Sequence, residues 1–357
     1  MPLPRQCIFL VPGDWESRTG GYLYDRRIVA GLRDAGWDVA LHSPGDMFPL
    51  PDAAAHEQAR RVVEALPDGA LVVADGLGFC ALPELAERHA QRLRWVALVH
   101  HPLAFESGLS DADRSLVADS ERRALACARH VVVTSASTAR ALAGFGVAAS
   151  RITVVEPGTD PAAQAAGGGA GAGALSLLCV ATVTARKGHA VLLEALAGLQ
   201  DRSWQLHCAG SLARDDATVA AVQAAVARHG LAERVRWHGE VDAAALERLY
   251  AQADLFVLPS FHEGYGMALA EALARGLPIV SCDAGAIADT VPADAGVLVA
   301  PGDADALRAA LRHLMDVPAA RAALATGARR AATRLPAWPA AAARFAAVLD
   351  AVMEVGA

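Results

Sequence analysis

Two glutamates eight positions apart, Glu263 and Glu271, lie in the stretch FHEGYGMALAEALARGLPIV from Phe261 to Val280. Gly264 and Gly266 stand between them and let a backbone approach a ligand closely. From Met267 to Arg275, the residues Met267, Ala270, Leu273 and Ala274 fall on one side at helical spacing, so the glycine loop runs into a helix start. The first amides of a helix lack intrahelical partners and carry partial positive charge, which suits a phosphate. Carboxylates repel a phosphate, so the glutamates are better placed to accept hydrogen bonds from hydroxyls on either side of it. A diphosphate with a sugar at each end fits that layout, and a nucleotide sugar is such a molecule.

Other residues suit the same ligand. Arg186 and Lys187 precede a helix in LSLLCVATVTARKGHAVLLEAL, where a cation faces a phosphate at the helix amino end. Thr182 shares that loop, and a plain surface charge pair is the alternative reading. His100 and His101 end the apolar run WVALVHHPLAFE. Ligands of open α/β sheets collect at the carboxyl ends of strands, so a histidine there is a better candidate than one in mid-helix. Glu106 follows and is a candidate for an acceptor pocket, as is His101. Gly20-Gly21 precedes a helix whose first turns carry Arg26 and Arg27; these face an acceptor or form a solvated face.

EGYGMALAE, flanked by ADLFVLPS before and EALARGLPIV after, resembles the E-x7-E signature of the retaining glycosyltransferases of family 4. Further motifs occur in order. Gly20 and Gly21 resemble the family's N-terminal glycine loop, which brings backbone amides to donor and acceptor. A histidine that contacts the donor sugar near the reacting carbon is matched by His100 in strand register, with His101 one residue away. EPGTD resembles the turn P-N-G-V-D that ends the first domain, retaining Pro157, Gly158 and Asp160. Lys187-Gly188 matches the family's lysine-glycine pair, but Thr182 stands near the usual arginine, so Arg186 is assigned the second charge. The resemblance implies that the turn Trp237, His238 and Gly239 lies along the nucleobase. It gives a catalytic set of His100, Glu263, Lys187 and Arg186. Donor binding falls to Gly20, Gly21, Thr182, Gly210, Ser211, the base turn, and the loop and helix residues Glu263, Gly264, Tyr265, Gly266, Met267, Ala268 and Glu271, with Glu271 on the ribose.

The elements that must carry these residues alternate throughout. Apolar runs starting at Cys7, Trp37, Ala70, Trp95 and His130 read as strands, separated by helices predicted over 22–35, 54–66, 83–93, 115–128 and 138–145. The second half repeats the pattern, with helices over 216–230, 246–253 and 267–275 and a last one over 338–355 that crosses back onto the first domain. The run PAAQAAGGGAGAGA, 161–174, is a low-complexity stretch whose glycines predict a flexible linker. The predicted domains are therefore 1–160, 175–335 and a returning helix over 336–357. Alternation of this kind implies doubly wound sheets. The resemblance names the fold class as α/β GT-B, two Rossmann-like domains facing a central cleft.

Composition fits. The chain has 357 residues, 54% of them hydrophobic and 20% charged, enough for two well-filled cores. A net charge of −7 argues against a nucleic-acid partner held by phosphate charge. Six cysteines without a C-x-x-C pair read as reduced core thiols. The start MPLPRQCIFLVPG lacks the pattern of a signal peptide, and no apolar run reaches the length of a membrane span, so a cytoplasmic protein is expected, with peripheral contact at the inner membrane surface as its membrane role. Asp303-Ala-Asp305 reads as a helix cap rather than a metal-binding D-x-D. The implied activity is metal-independent retaining transfer of a sugar from a UDP- or GDP-linked donor to a hydroxyl acceptor, with no cofactor beyond the donor. A same-fold epimerase, which needs no acceptor, and a non-catalytic nucleotide-binding subunit are the alternatives. A dinucleotide oxidoreductase is disfavoured because no G-x-G-x-x-G follows a strand.

Overall fold

Runs of aliphatic residues bounded by turn residues form the strands of two separate sheets. In the computed structural model, which describes residues 5–106, 109–168 and 173–354, the first sheet holds β1 (Gln6–Leu10), β2 (Asp38–His42), β3 (Leu71–Asp75), β4 (Arg94–Val99), β5 (His130–Val133) and β6 (Ile152–Val154). The second holds β7 (Leu175–Val180), β8 (Trp204–Ala209), β9 (Val235–Gly239), β10 (Leu255–Leu258), β11 (Ile279–Cys282) and β12 (Gly296–Val299). Their orders are β2-β1-β3-β4-β5-β6 and β12-β11-β10-β7-β8-β9, and each pairing is parallel. A parallel sheet carries its crossover helices on both faces, which is why LVVAD of β3 and LFVL of β10 are buried at every position.

The chain divides into two units, Met1–Gly158 with Pro336–Ala357, and Thr159–Leu335. In each, the strand order reverses direction at one place: between β1 and β3 in the first, between β7 and β10 in the second. Such a switch point opens a crevice at the carboxyl ends of the two strands, because their crossover helices lie on opposite faces.

The first unit is completed by the helix Trp338–Glu354, which comes from the far end of the chain. Its Phe345 packs on Phe9 of β1 with ring centroids 5.9 Å apart, and both rings are buried. Burial of a side chain of this size contributes roughly 1.5–3 kcal/mol. The helix also lies close against Gly20–Asp34: a side chain at Gly31 would bring its Cβ to 2.4 Å from that of Ala342. The place where the chain leaves the unit touches the place where it returns, since a Cβ on Gly158 would sit 2.3 Å from the amide nitrogen of Trp338.

Several boundaries differ from those read in the sequence. The helix predicted from Tyr22 begins at Gly20, so the glycine pair forms its first turn and not a loop before it. The helix predicted from Ser115 begins at Asp111, because the Ser110 hydroxyl caps it by accepting from the Asp113 amide at 3.1 Å. The helix from Pro83 stops at His89, and the turn after it is tied off by the Arg92 guanidinium donating to the carbonyls of Leu66 and Val63. The stretch predicted to be a flexible linker over 161–174 is tethered where it is described. The amides of Ala165 and Ala166 donate to the carbonyls of Arg275 and Ala251, both at 2.9 Å, and Gly168 donates to Asp254 at 3.1 Å. Residues 169–172 of that stretch lie outside the described residues.

Candidate active site

The second unit gathers its charged groups at its switch point. Lys187 follows β7 and Glu263 follows β10, the neighbouring strands across which the order reverses. Lys187 Nζ donates to Glu263 Oε1 at 2.7 Å, and Ser260 Oγ donates to the same oxygen at 2.6 Å. Arg186 lies 3.7 Å from Oε2 and donates to the His262 carbonyl at 2.8 Å. Burial alone would raise the Glu263 carboxyl, but Lys187 and Arg186 hold it below its ordinary value. Two cations and one carboxylate meet here, largely buried, and Glu263 lies on the loop that leads into the helix Met267–Ala274.

Backbone geometry fixes these loops. Gly188 has φ +71°, and a Cβ there would fall 2.0 Å from the Pro259 carbonyl oxygen, so the lysine loop rests directly on the end of the β10 segment. The Arg186 carbonyl accepts from the Phe261 amide at 2.8 Å, a second tie between the same two loops. Glu263 is only 6% exposed, and its carbonyl accepts from Ala286 at 2.9 Å. The carboxylate expected to face sugar hydroxyls is thus already engaged as the counter-ion of Lys187 and Arg186. Its geometry is that of a group holding two cations in place.

Of the other predicted donor residues, Thr182, Gly210, Ser211 and Gly239 come together where β7, β8 and β9 end. The Val183 amide donates to the Ser211 carbonyl at 3.0 Å, and the Gly210 amide donates to that of Gly239 at 2.8 Å. Trp237 packs against His189, ring centroids 5.9 Å apart, and His238 stacks on His207 at 5.3 Å, so both side chains of the predicted base turn are in use within the fold. Gly264 and Gly266 flank Tyr265, whose carbonyl accepts from the Thr290 hydroxyl at 2.8 Å. Met267 and Ala268 open the helix, as predicted from its spacing. Glu271 accepts from the Tyr250 hydroxyl at 3.0 Å; burial, with Asp160 and Glu247 nearby, raises its carboxyl above the ordinary value. Asp303 caps its helix by accepting from Ala306 at 2.8 Å, and Asp305 pairs with Arg308 at 2.6 Å, which accounts for the D-x-D-like pair.

In the first unit, His100 stands at the carboxyl end of β4 in a buried polar cluster. Its Nε2 lies 3.1 Å from Asp25 Oδ1 and 3.4 Å from Asp75 Oδ2. Asp75 ends β3, and Asp25 sits on the helix after β1, so the cluster also lies at a switch point. The three polar atoms are within 4.8 Å of one another, a spacing that the hydrogen bond from Nε2 to Asp25 and its ion-pair contact with Asp75 account for. Burial alone would lower the His100 pKa, but Asp25 and then Asp75 outweigh it and raise the imidazole to about 10. Burial pushes Asp25 up to about 7 against the pull of His100. Gly21 lies beside this ring: a Cβ there would meet His100 Cδ2 at 3.4 Å, an ordinary contact distance. His101 instead contacts Glu106 at 2.5 Å. Two buried amides of the segment after it, Leu103 and Ala104, donate to Glu121 at 2.7 and 3.0 Å, which fixes the path of the histidine loop. Arg26, a candidate for the acceptor, donates to the carbonyls of Trp15 and Ser17 and so ties down its own loop.

Sequence reasoning missed Asp25, Asp75, Ser260 and Tyr250 as members of these clusters. Asp75 was within reach, because it is the one charged residue of its strand and stands at a carboxyl end. Asp25 was not, since a charged residue in an early helical turn is ordinarily solvated.

Comparison with known proteins agrees with this architecture. Residues 174–316 match the family model for glycosyl transferases group 1, and residues 44–163 match that for Glycosyltransferase Family 4. The chain is 29% identical to an MMP alpha-(1->4)-mannosyltransferase of Mycolicibacterium hassiacum over 71% of its own length, and spans 64% of that relative. It is 31% identical to a D-inositol 3-phosphate glycosyltransferase of Thermobispora bispora over 73% of its length and 67% of the relative's. Among solved structures it is similar to a sucrose-phosphate synthase of Thermosynechococcus elongatus, with TM-score 0.80, 24% identity and 96% and 97% of the two chains covered. It is also similar to HepE of Anabaena, solved with UDP and glucose, with TM-score 0.73, 18% identity and coverage of 96% and 98%. With its two parallel doubly wound sheets and these relatives, the chain belongs to the glycosyltransferases of the GT-B type.

Proposed function

We propose that this chain is a retaining, metal-independent glycosyltransferase of family 4 that moves a sugar from a nucleoside-diphosphate sugar to a hydroxyl acceptor. The observation that carries the reading is the Lys187–Glu263–Arg186 group at the switch point of the second unit, two cations after β7 held against the loop that leads into the helix Met267–Ala274. That is the arrangement a departing diphosphate needs, since its charge grows only as the bond to the sugar breaks. The bond from the sugar's anomeric carbon to the phosphate oxygen breaks and its electron pair stays on the phosphate. The acceptor oxygen then bonds to the same face of that carbon, and its proton passes to a phosphate oxygen. Glu271 and the Tyr250 hydroxyl serve the ribose, and His100 serves the sugar. Two relatives bear names of sugar transferases and HepE was solved with UDP, which supports a nucleoside diphosphate, UDP or the GDP of the same class, as the leaving group, with UDP the first to test.

A thermal-shift panel of UDP-, GDP- and ADP-sugars tests the donor class. A ligand at 100 times its dissociation constant adds roughly 2.7 kcal/mol of stability, a shift easily read in the melting temperature. Stabilisation by one nucleotide series is the expected result. A donor that stabilises the protein and is released as an altered sugar without any acceptor replaces transfer with epimerisation, and stabilisation by none removes the reading.

A further inference from the structure

His100 is held on one side only. Its Nε2 is committed to Asp25 and Asp75, whereas its Nδ1 has no hydrogen-bond partner among the described residues, and a fifth of the side chain is exposed. The hydrogen bond to Asp25 and the packing of Tyr24 hold the ring in this orientation. The Tyr24 ring meets it edge-on with centroids 5.4 Å apart, and Tyr24 is itself pinned by its hydroxyl donating to the Val155 carbonyl at 2.9 Å. The His100 carbonyl accepts from the Thr134 hydroxyl at 3.0 Å, which holds the backbone that carries the ring. Asp25 is fully buried, and its Oδ2 has no partner, an arrangement that costs stability unless its charge is used nearby.

We propose that Asp25 and Asp75 are positioning residues that lock His100 as an imidazolium, with Nε2–H turned into the protein and Nδ1–H presented to an acceptor oxygen of the transferred sugar. The proposal rests on the reading of His100 as the sugar-facing group. The charged and titratable groups that face the ring are Asp25 and Tyr24 from the helix after β1 and Asp75 from β3; Tyr24 is buried and held well above its ordinary pKa, so it stays neutral. An imidazolium donates from both nitrogens and accepts nothing. His100 therefore cannot take a proton from the acceptor hydroxyl, and that proton falls to the departing diphosphate. The same lock makes the histidine insensitive to pH through the neutral range, because its proton is retained until the pH approaches 10.

The test is nitrogen NMR of the protein labelled with 15N-histidine, with the His100 signals assigned by their loss in His100→Gln. The expected result is an imidazolium at pH 8, protonated at both nitrogens. A neutral His100 at pH 8 in the wild-type chain overturns the proposal with no variant required. In Asp25→Asn, a return of the ring toward the ordinary pKa of 6.5 leaves about one ring in thirty protonated at pH 8, and kcat/KM falls about thirtyfold there but recovers to within about twofold at pH 6. A purely structural Asp25 gives a loss that pH does not restore, which also overturns the proposal. Where Asp25→Asn does not fold, Asp75→Asn is the variant, with the same direction and a smaller size. An imidazolium in a chain that transfers no sugar leaves the lock in place and removes the transfer reading alone.

Discussion

Removing the carboxylate of Glu271 takes away the acceptor of the Tyr250 hydroxyl and, on the ribose assignment, the group that accepts from the nucleotide. Glu271→Ala is expected to cost roughly 1.5–3 kcal/mol of affinity for the free nucleoside diphosphate, the value of a hydrogen bond to a charged group. Titration calorimetry with UDP and GDP measures it, and unchanged affinity withdraws Glu271 from the ribose. The two histidines differ in kind at this scale. His100 sits between two buried carboxylates and His101 pairs with half-buried Glu106. His100→Ala is expected to lose turnover by about a hundredfold while still binding nucleoside diphosphate, because its contribution belongs to the transition state. His101→Ala is the control; a collapse there with His100→Ala near normal moves the role by one residue.

At the scale of elements, the loops after β7 and β10 are held together by backbone as much as by charge. Gly188→Ala puts a side chain at φ +71° and 2.0 Å from a carbonyl oxygen. It is expected to destabilise the protein by roughly 1–3 kcal/mol and to move Lys187 off Glu263. Urea denaturation and turnover read the two effects, and a variant equal to wild type in both leaves the loop contact without consequence. Much of this region was legible in the sequence. Two apolar runs, a lysine-glycine pair and a spaced pair of glutamates told which strand ends stand at the switch point of the second unit, because strand alternation and helix starts are local properties. What was hidden depends on the fold as a whole. The burial of Asp25 follows from how the helix after β1 lies on the sheet, and its own sequence reads as amphipathic and solvated. The tethering of residues 165–168 within the second unit was hidden too, because composition does not say where backbone amides find partners. The contacts of Glu263 with Lys187 and Arg186 were not legible, since these residues are 76 and 77 positions away and meet it only through the pairing of β7 with β10.

For the molecule as a whole, a net charge of −7 means that, on the proposed reading, the donor's diphosphate must be met by local charge. That reading assigns the charge to Lys187, Arg186 and helix amides of the second unit, so turnover is expected to survive EDTA. Activity abolished by EDTA and restored by magnesium or manganese ends the metal-independent account. Six cysteines without a disulfide, all buried except the partly exposed Cys127, leave the fold indifferent to reducing agents as well.

The first unit is not contiguous in the chain: its sheet comes from residues up to Gly158, and one of its covering helices from Trp338–Glu354. Synthesis proceeds in one direction, so the chain of the second unit is made while the first still lacks a wall. Until that last helix emerges, Phe9 has no Phe345, Ala342 is absent from the groove at Gly31, and Tyr24 lacks Trp338 beside it. The part of the protein made first is therefore the part finished last, and during that interval its exposed apolar face is the place where a chaperone has something to hold.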